Sequence, residues 1–399
     1  MKPVFAILYA GYRVITSLRD WARRRFTRLG LSVLGALMVA TVLSIDIEST
    51  VAYQALPLLL SLLLAGVVFS RFFRARFSVN RRLPHVATAG RPFGYRVSVK
   101  NLSPKIQSGL TLLEEVAEPK PAFRDWQAVQ LAEAKRARSF RFSERRRTSP
   151  FKVATVKEAA VPSLRPNQES EVRVELTPHR RGILRFRGAT LARPDPLGLC
   201  LAFAQVPLPQ TVIVLPKRYP LPSIALPGTM RYQQGGVALA ASVGQSEEFV
   251  ALRDYRRGDP LRHIHWRSWA KTGKPIVKEF EDEFFVRHAL VLDTFTDQPH
   301  SEVFEEAVSV AASFACTVPT QESLLDLLFV GPQAYCFTAG RGLAHADQML
   351  EILASVRACQ DKPFESLEHL VLGHVSVVSG CICVLLAWDA ERQRLVEKL

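Results

Sequence analysis

The sequence predicts an α+β multidomain chain. It begins with an N-terminal transmembrane helical hairpin, continues through a β-sandwich-like domain and ends in an α/β region. Three observations carry this reading. Two uncharged apolar runs stand close together between arginine-rich flanks. Residues 71–215 hold short alternating segments cut by turn signals. Residues 285–399 alternate apolar strands with helical spacings. The expected organisation is a basic cytoplasmic or interfacial N-terminus (1–28), two transmembrane helices (29–70), the β-domain with an insertion near 119–160 (71–215), a motif-bearing region (216–284) and the α/β domain (285–399).

The hairpin follows from charge. Of 399 residues, 52 are Lys or Arg and 37 are Asp or Glu, a net +15. Residues 1–28 hold +6 of this excess and residues 71–82 hold +5, so most of it flanks one hydrophobic region. Leu29–Ile45 carries no charge and, as a helix, reaches about 26 Å, short but sufficient for a hydrocarbon core of about 30 Å. Val51–Ser70 is a second uncharged run, with Pro57 inside it. Only Asp46–Thr50 separates the two, and that link is acidic. The positive-inside bias then places the N-terminus and everything after residue 71 in the cytoplasm. A signal peptide fits the basic start, but no small-x-small cleavage site follows and a second span does. Val4–Leu18, with Arg13 inside it, reads as an amphipathic helix along the interface. Lipid contact and topology account for the arginines, so no nucleic-acid partner is expected. The Lys135–Arg147 cluster is read as a solvated loop or membrane-facing hairpin.

In the middle region Tyr95–Lys100 alternates and stops at Asn101-Leu-Ser-Pro104. Glu171–Leu176 alternates again, with its Val and Leu on one face. Turns at His179–Gly182 and Asp195–Gly198 lead into further strands, Ile183–Arg187 and Thr211–Leu215. Short strands with such punctuation suggest a small antiparallel sandwich. The six cysteines form no C-x-x-C pair, which argues against a zinc ribbon or a thioredoxin-like site. No G-x-x-x-x-G-K-[ST] loop is present, so nucleotide hydrolysis is not expected.

The most unusual stretch is Ser246–Glu283. Arg256–Pro260 reads as a turn around Gly258. Arg262–Trp269 mixes Arg, His and Trp in near alternation, and Lys274–Lys278 reads as a strand leading to acidic Glu279–Glu283. Three readings compete. Arg253, Asp254, Asp259, Arg262 and Glu281 could form a charge-assisted network with Trp266 and Trp269 packed beneath it. His263 and His265 could share one strand face and bind a metal with Asp259, as in a hydrolase. The segment could also be a docking surface anchored by Arg, Tyr and Trp side chains.

Glu248-Phe249, Arg253-Asp-Tyr255, Gly258-Asp259, Arg262, Ile264-His265-Trp266, Ala270, Lys278 and Phe280 follow a pattern that resembles the signature of the bacterial "domain of unknown function fifty-eight" family. Arg181-Gly182 and Asp195–Leu199 match that family's habit, as do the paired spans and the following β-domain. The resemblance implies a C-terminal domain like that of von Willebrand factor A. It also implies a membrane protein working with a MoxR-type AAA+ ATPase and beside a transglutaminase-like membrane protein in a chaperone-like or assembly system; with no Ser-His-Asp or Cys-His arrangement in the sequence, a non-enzymatic role is expected.

In the α/β region Phe285–Asp293 is an apolar strand ending in an acid, and Ser301–Thr317 has helical spacing. Leu324–Val330 and Ala334–Thr338 follow as strands, Ala344–Ala358 as a helix, Cys381–Trp388 as a buried strand and Ala390–Leu399 as a helix. The implied fold can hold Mg²⁺ through an Asp-x-Ser-x-Ser loop, a distant Thr and a later Asp, all oxygen donors suited to a hard cation. Here the loop is Asp293-Thr-Phe-Thr-Asp297, and Asp389 could stand for the final acid. Phe295 and Asp297 occupy the two Ser positions, and Gly340-Arg-Gly342 supplies no hydroxyl. No cofactor is therefore expected, and Asp293 and Asp389 could instead cap neighbouring helices. The chain stops eleven residues after Trp388, which implies an exposed sheet edge or a shortened C-terminus.

Overall fold

A computed structural model describes the chain except for residues 1, 44–49, 119, 138–150, 223–230, 233–248, 257–258, 260, 262–263, 281–283, 299–300, 319–322 and 341–345. It is a mixed α+β structure of two compact units, Met1–Leu215 and Pro216–Leu399.

The first unit opens with three helices: α1 (Lys2–Arg25), α2 (Arg28–Leu43) and α3 (Thr50–Arg71). Helix α1 is mixed in character, while α2 and α3 are apolar almost throughout. Sixteen residues give α2 about 24 Å and twenty-two give α3 about 33 Å. Among the described residues only one segment, Tyr53–Arg71, is long and apolar enough to cross a membrane; Arg28–Leu43 falls short of a usual span. The expected first span, Leu29–Ile45, thus ends as a described helix at Leu43, and most of the acidic link lies outside the described residues.

The strands β1 (Phe77–Arg82), β2 (Val86–Thr88), β3 (Phe93–Asn101) and β4 (Leu110–Val116) follow. Helix α4 (Phe123–Ala137) comes next, then β5 (Ala154–Val156), β6 (Ala159–Val161), β7 (Glu169–Pro178), β8 (Gly182–Pro194) and β9 (Leu201–Leu215). They form a four-stranded sheet, β1-β3-β7-β5, and a five-stranded sheet, β2-β9-β8-β4-β6. Buried positions alternate along β1 and β3 as period-2 strands require. The inward residues of both sheets meet in one core, with Val97, Val99 and Val174 from the first and Leu112, Leu184 and Val212 from the second. One ion pair lies inside it. Arg81 holds the fully buried Glu114 and also donates to Gln210 Oε1 at 3.2 Å and to the carbonyls of Leu208 and Gly188. Its guanidinium lies 4.5 Å from the Phe186 ring centroid. Burial pushes the Glu114 carboxyl up, and the Arg81 contacts oppose that rise.

The β8–β9 turn carries the Asp195–Leu199 motif, and its place in the fold is specific. Asp195 Oδ1 accepts from the N–H groups of Leu199 (2.7 Å) and Cys200 (2.8 Å), and Gly198 takes a left-handed φ of 69°. The turn sits on the α1–α2 junction. Thr27 N donates to Leu199 O at 3.0 Å, and Phe26, Leu63, Leu199 and Cys200 form a small core of their own. Two helix glycines make room for it. A Cβ on Gly30 would lie 2.0 Å from Leu199 O, and one on Gly66 would lie 3.1 Å from Asp195 Oδ2.

The second unit contains β10 (Arg231–Tyr232), β11 (Phe249–Asp254), α5 (Trp266–Thr272), β12 (Ile276–Phe280), β13 (Phe284–Leu292), α6 (Glu302–Thr317), β14 (Ser323–Val330) and β15 (Ala334–Ala339). The helices α7 (Ala346–Ser355) and α8 (Glu365–Leu372), the strand β16 (Gly380–Val384) and α9 (Ala390–Glu397) complete it. Strands β14 and β16 pair in parallel with β13, while β15 pairs antiparallel with β14. All eight residues of β14 are buried, as a strand covered on both faces requires. Ala289, Val291, Leu328 and Val330 pack with Leu367 and Val371 of α8 and Leu395 of α9. Helix α6 packs against β13 and is capped by Ser301, whose Oγ accepts from Phe304 N at 3.3 Å. The expected strand Cys381–Trp388 is only Gly380–Val384 long, because the chain leaves the sheet there and Leu386 N turns to Asp293 Oδ2 at 3.1 Å.

Candidate functional site

The motif region is built on β11 and β12, which pair antiparallel with Leu252 opposite Lys278 and Asp254 opposite Ile276. Between them the chain turns out and returns through α5. Tyr255 N donates to Pro275 O at 3.0 Å and His265 N to Ile276 O at 2.8 Å, closing the excursion at its base. Ile264 bridges Val277, and both are buried, so the excursion has an apolar foot. Gly273 ends α5 in the left-handed region, with φ 68°.

Charge fixes the first turn. Arg253 grips Asp259 with both guanidinium nitrogens, NH1 to Oδ2 at 2.7 Å and NH2 to Oδ1 at 2.8 Å. Arg256 N donates to the same carboxylate at 2.8 Å. Arg253 and then the Arg256 amide pull the Asp259 carboxyl down to about 2. Asp254 is exposed and Tyr255 and Lys278 are half-buried. Glu248, Gly258, Arg262, His263 and Glu281 lie outside the described residues, so of the charged network the structure places only the Arg253–Asp259 pair together.

Two expectations change here. The near alternation of Arg262–Trp269 suggested a strand with His263 and His265 on one face. Instead the chain makes a single bridge at Ile264 and enters helix α5 at Trp266. Helical bonds win locally: Trp269 N and Ser268 N both donate to His265 O, and Ser268 Oγ lies 2.6 Å from His265 Nδ1. His265 is thus engaged at the head of a helix and is not presented on a strand. The second change concerns the tryptophans. Trp266 does not pack beneath a charge network; it is 64% exposed and stacks on the half-buried Trp269, centroids 5.3 Å apart and planes 17° apart. Exposed Leu252 and Leu261 accompany it on this segment, with exposed Arg256, Arg267, Lys271 and Lys274.

The second candidate group lies at the C-terminal end of β13. Asp293 is fully buried. Its Oδ1 accepts from Phe295 N at 2.9 Å, and its Oδ2 accepts from Leu386 N at 3.1 Å and Arg392 Nε at 2.7 Å. Asp389 caps α9, accepting from Arg392 N at 3.1 Å, and also pairs with the Arg392 guanidinium. The guanidinium completes its contacts on Phe295 O at 3.2 Å and over the Phe364 ring at 4.8 Å. Among the described residues no group of three or more His, Cys, Asp or Glu side chains could hold a metal ion. Where Asp293 and Asp389 approach each other, a protein cation lies between them. Sequence reasoning did not single out Arg392; its position three residues after Asp389, on the helix that acid caps, was the available signal.

The motif is thus held by a bidentate Arg–Asp pair and carries an exposed aromatic stack. Residues 251–379 match the model of the family described as "Protein of unknown function DUF58". The chain is 28% identical over 207 residues to "Uncharacterized protein YeaD" of Bacillus subtilis (strain 168), which covers 51% of this chain. It spans about half (50%) of that curated relative's length. Among solved structures, the CARDB domain of a Pyrococcus furiosus protein aligns with 36% of this chain and 91% of its own, at 17% identity and a TM-score of 0.19. The PapD-like domain of human CEP192 aligns with 35% of this chain and 85% of its own, at 9% identity and a TM-score of 0.19.

Proposed function

We propose that the chain is a membrane-anchored, non-enzymatic interaction protein whose Arg253–Lys278 segment docks a protein partner. The observation that carries this is the exposed Trp266–Trp269 stack. A large aromatic pair left in water amid basic side chains costs hydration free energy and is the usual anchor of a binding hot spot. The Arg253–Asp259 pair and the Ile264–Val277 foot would hold that surface in place before binding, which lowers the entropy cost of association. The basic rim favours an acidic partner surface. The partner implied by the family resemblance is a MoxR-type AAA+ ATPase, with a transglutaminase-like membrane protein nearby and a chaperone-like or assembly role.

Anchoring rests on α2 and α3, whose apolar side chains, Met38, Val42, Leu58 and Leu64 among them, stand exposed along both helices. A contiguous apolar surface of that size asks for lipid. We read the two as a hairpin in the bacterial inner membrane with both termini in the cytoplasm. The two sheets around one core are read as β-sandwich-like, and the β13–β14–β16 layer with its helices as von Willebrand factor A-like.

The test is an affinity pull-down of the solubilised full chain from its native membrane, comparing wild type with Trp266→Ala. Trp266 is 64% exposed, so the thermal midpoint should hold. Co-purification of an AAA+ ATPase with wild type alone supports the docking surface. Equal recovery with both overturns it.

A further inference from the structure

Helix α1 has two apolar faces; one packs on α4, and the other is largely exposed among the described residues, with Trp21 edge-on to Phe26 at 5.8 Å. Phe5, Tyr9 and Tyr12 recur at helical spacing and pack on α4. Tyr9 lies 5.4 Å from the Phe123 ring and 5.5 Å from that of Trp126, and Tyr12 lies 5.7 Å from Trp126. The Tyr9 hydroxyl donates to Pro121 O at 2.7 Å, and Trp126 is buried by this contact. About 140° round the helix, at 100° per residue, lies a second stripe: Ile7, Leu8, Val14, Ile15, Leu18 and Trp21. All six are more than half exposed.

The borders of that stripe name its occupant. Arg19 stands on one side and Arg13 and Arg24 on the other, with Asp20 the one acid in the helix. Arg25 closes the stripe at its C-terminal end, over the Phe203 ring at 5.3 Å, and the helix runs directly into apolar α2 through Phe26 and Thr27. Apolar side chains bordered by arginine, at the root of an apolar helix, fit the boundary of acyl chains and phosphates. We propose that α1 lies along the surface of an anionic bilayer, with the Ile7–Trp21 stripe among the acyl-chain ends and its arginines on lipid phosphates. Its opposite face carries α4 on the water side, so the helical part of the 119–160 insertion is held at the membrane. This rests on the anchoring proposed above.

The experiment uses the full chain in vesicles of phosphatidylcholine and phosphatidylglycerol brominated near the headgroup end of the acyl chain. Tryptophan emission of wild type is compared with that of Trp21→Phe, and the difference isolates Trp21. Strong bromine quenching of this component, lost in neutral phosphatidylcholine vesicles, is expected. A Trp21 component quenched by aqueous acrylamide but not by bromine overturns the proposal. Shielding from both quenchers does so too, because a second copy or another protein then covers the stripe. Equal bromine quenching in neutral vesicles overturns the anionic preference. Alkaline carbonate extraction separates this inference from the anchoring on which it rests. A chain that resists carbonate while Trp21 stays in water sinks only the surface helix. A chain released by carbonate sinks both.

Discussion

Arg392 Nε lies 2.7 Å from Oδ2 of the fully buried Asp293, ninety-nine residues earlier in the chain. The contact joins the last helix to the end of β13, and no other cation among the described residues is paired with that carboxylate. The same guanidinium pairs with Asp389, so one protein charge answers two acids. Removing it leaves a carboxylate buried with only two backbone donors. Arg392→Ala should therefore destabilise the second unit by about 3–5 kcal/mol, and Arg392→Lys should recover part of the loss because it keeps the charge but not the planar fork. Mg²⁺ should raise the wild-type thermal midpoint no more than a monovalent salt of equal ionic strength. Denaturant midpoints of the variants and a Mg²⁺ titration check this. A Mg²⁺-specific stabilisation of wild type would restore the metal reading of Asp293 and Asp389.

Acid should weaken the second unit in two separate windows. His288 is buried on β13, its Nδ1 has no partner among the described residues, and burial lowers its pKa. The unfolded imidazole titrates near 6.5. Folded below unfolded means that the unfolded chain takes up the proton first. The stability of the neutral form is thus complete above about pH 6.5 and drains as pH falls toward the folded pKa. Asp259 is held at about 2 against about 3.9 when unfolded. Its contribution is complete above about pH 4 and is lost as pH falls toward 2. His288→Leu should flatten the first limb and Asp259→Asn the second. Denaturant midpoints measured across pH would contradict this if either variant kept the slope assigned to its residue.

The sequence made legible those parts of the fold whose signal is local. Tyr95–Lys100 lies within β3, Glu171–Leu176 within β7, and the spacing of Val303–Phe314 within α6. Helix α4 was hidden because Phe123–Ala137 has a weak apolar stripe whose partner, α1, is far away in sequence. Helix α8 escaped notice because only Leu367 and Val371 of its eight residues are buried. A charged network is one of three readings the motif's residue types allow, and the Arg253–Asp259 pair is the part of it found among the described residues. The helix at Trp266 could not be read from spacing, since alternation signals a strand only where a neighbour continues the ladder, and here the ladder stops after one bridge.

The Asp195–Cys200 turn is expected to be the joint between the helices and the β-sheets of the first unit, and its two glycines give a graded test. A methyl group at Gly30 meets the Leu199 carbonyl at 2.0 Å. That is a backbone atom that accepts from the Thr27 N–H, in a peptide group whose Cys200 N–H donates to Asp195 Oδ1. The clash is relieved only by moving α2 or the turn. At Gly66 the nearest atoms are side-chain atoms, Asp195 Oδ2 at 3.1 Å and Cys200 Sγ at 3.2 Å, which can yield by a few tenths of an ångström. Gly30→Ala should therefore cost about 1–3 kcal/mol by overpacking and Gly66→Ala distinctly less. Asp195→Ala should resemble Gly30→Ala, because it strips two buried backbone donors of their acceptor at about 1–3 kcal/mol. Thermal midpoints in detergent, read beside limited proteolysis at the Thr27 junction, report the outcome. Equal effects of the two glycine substitutions would mean that the turn is not held by Leu199, and the joint would then have to lie in the Phe26–Leu63 packing alone.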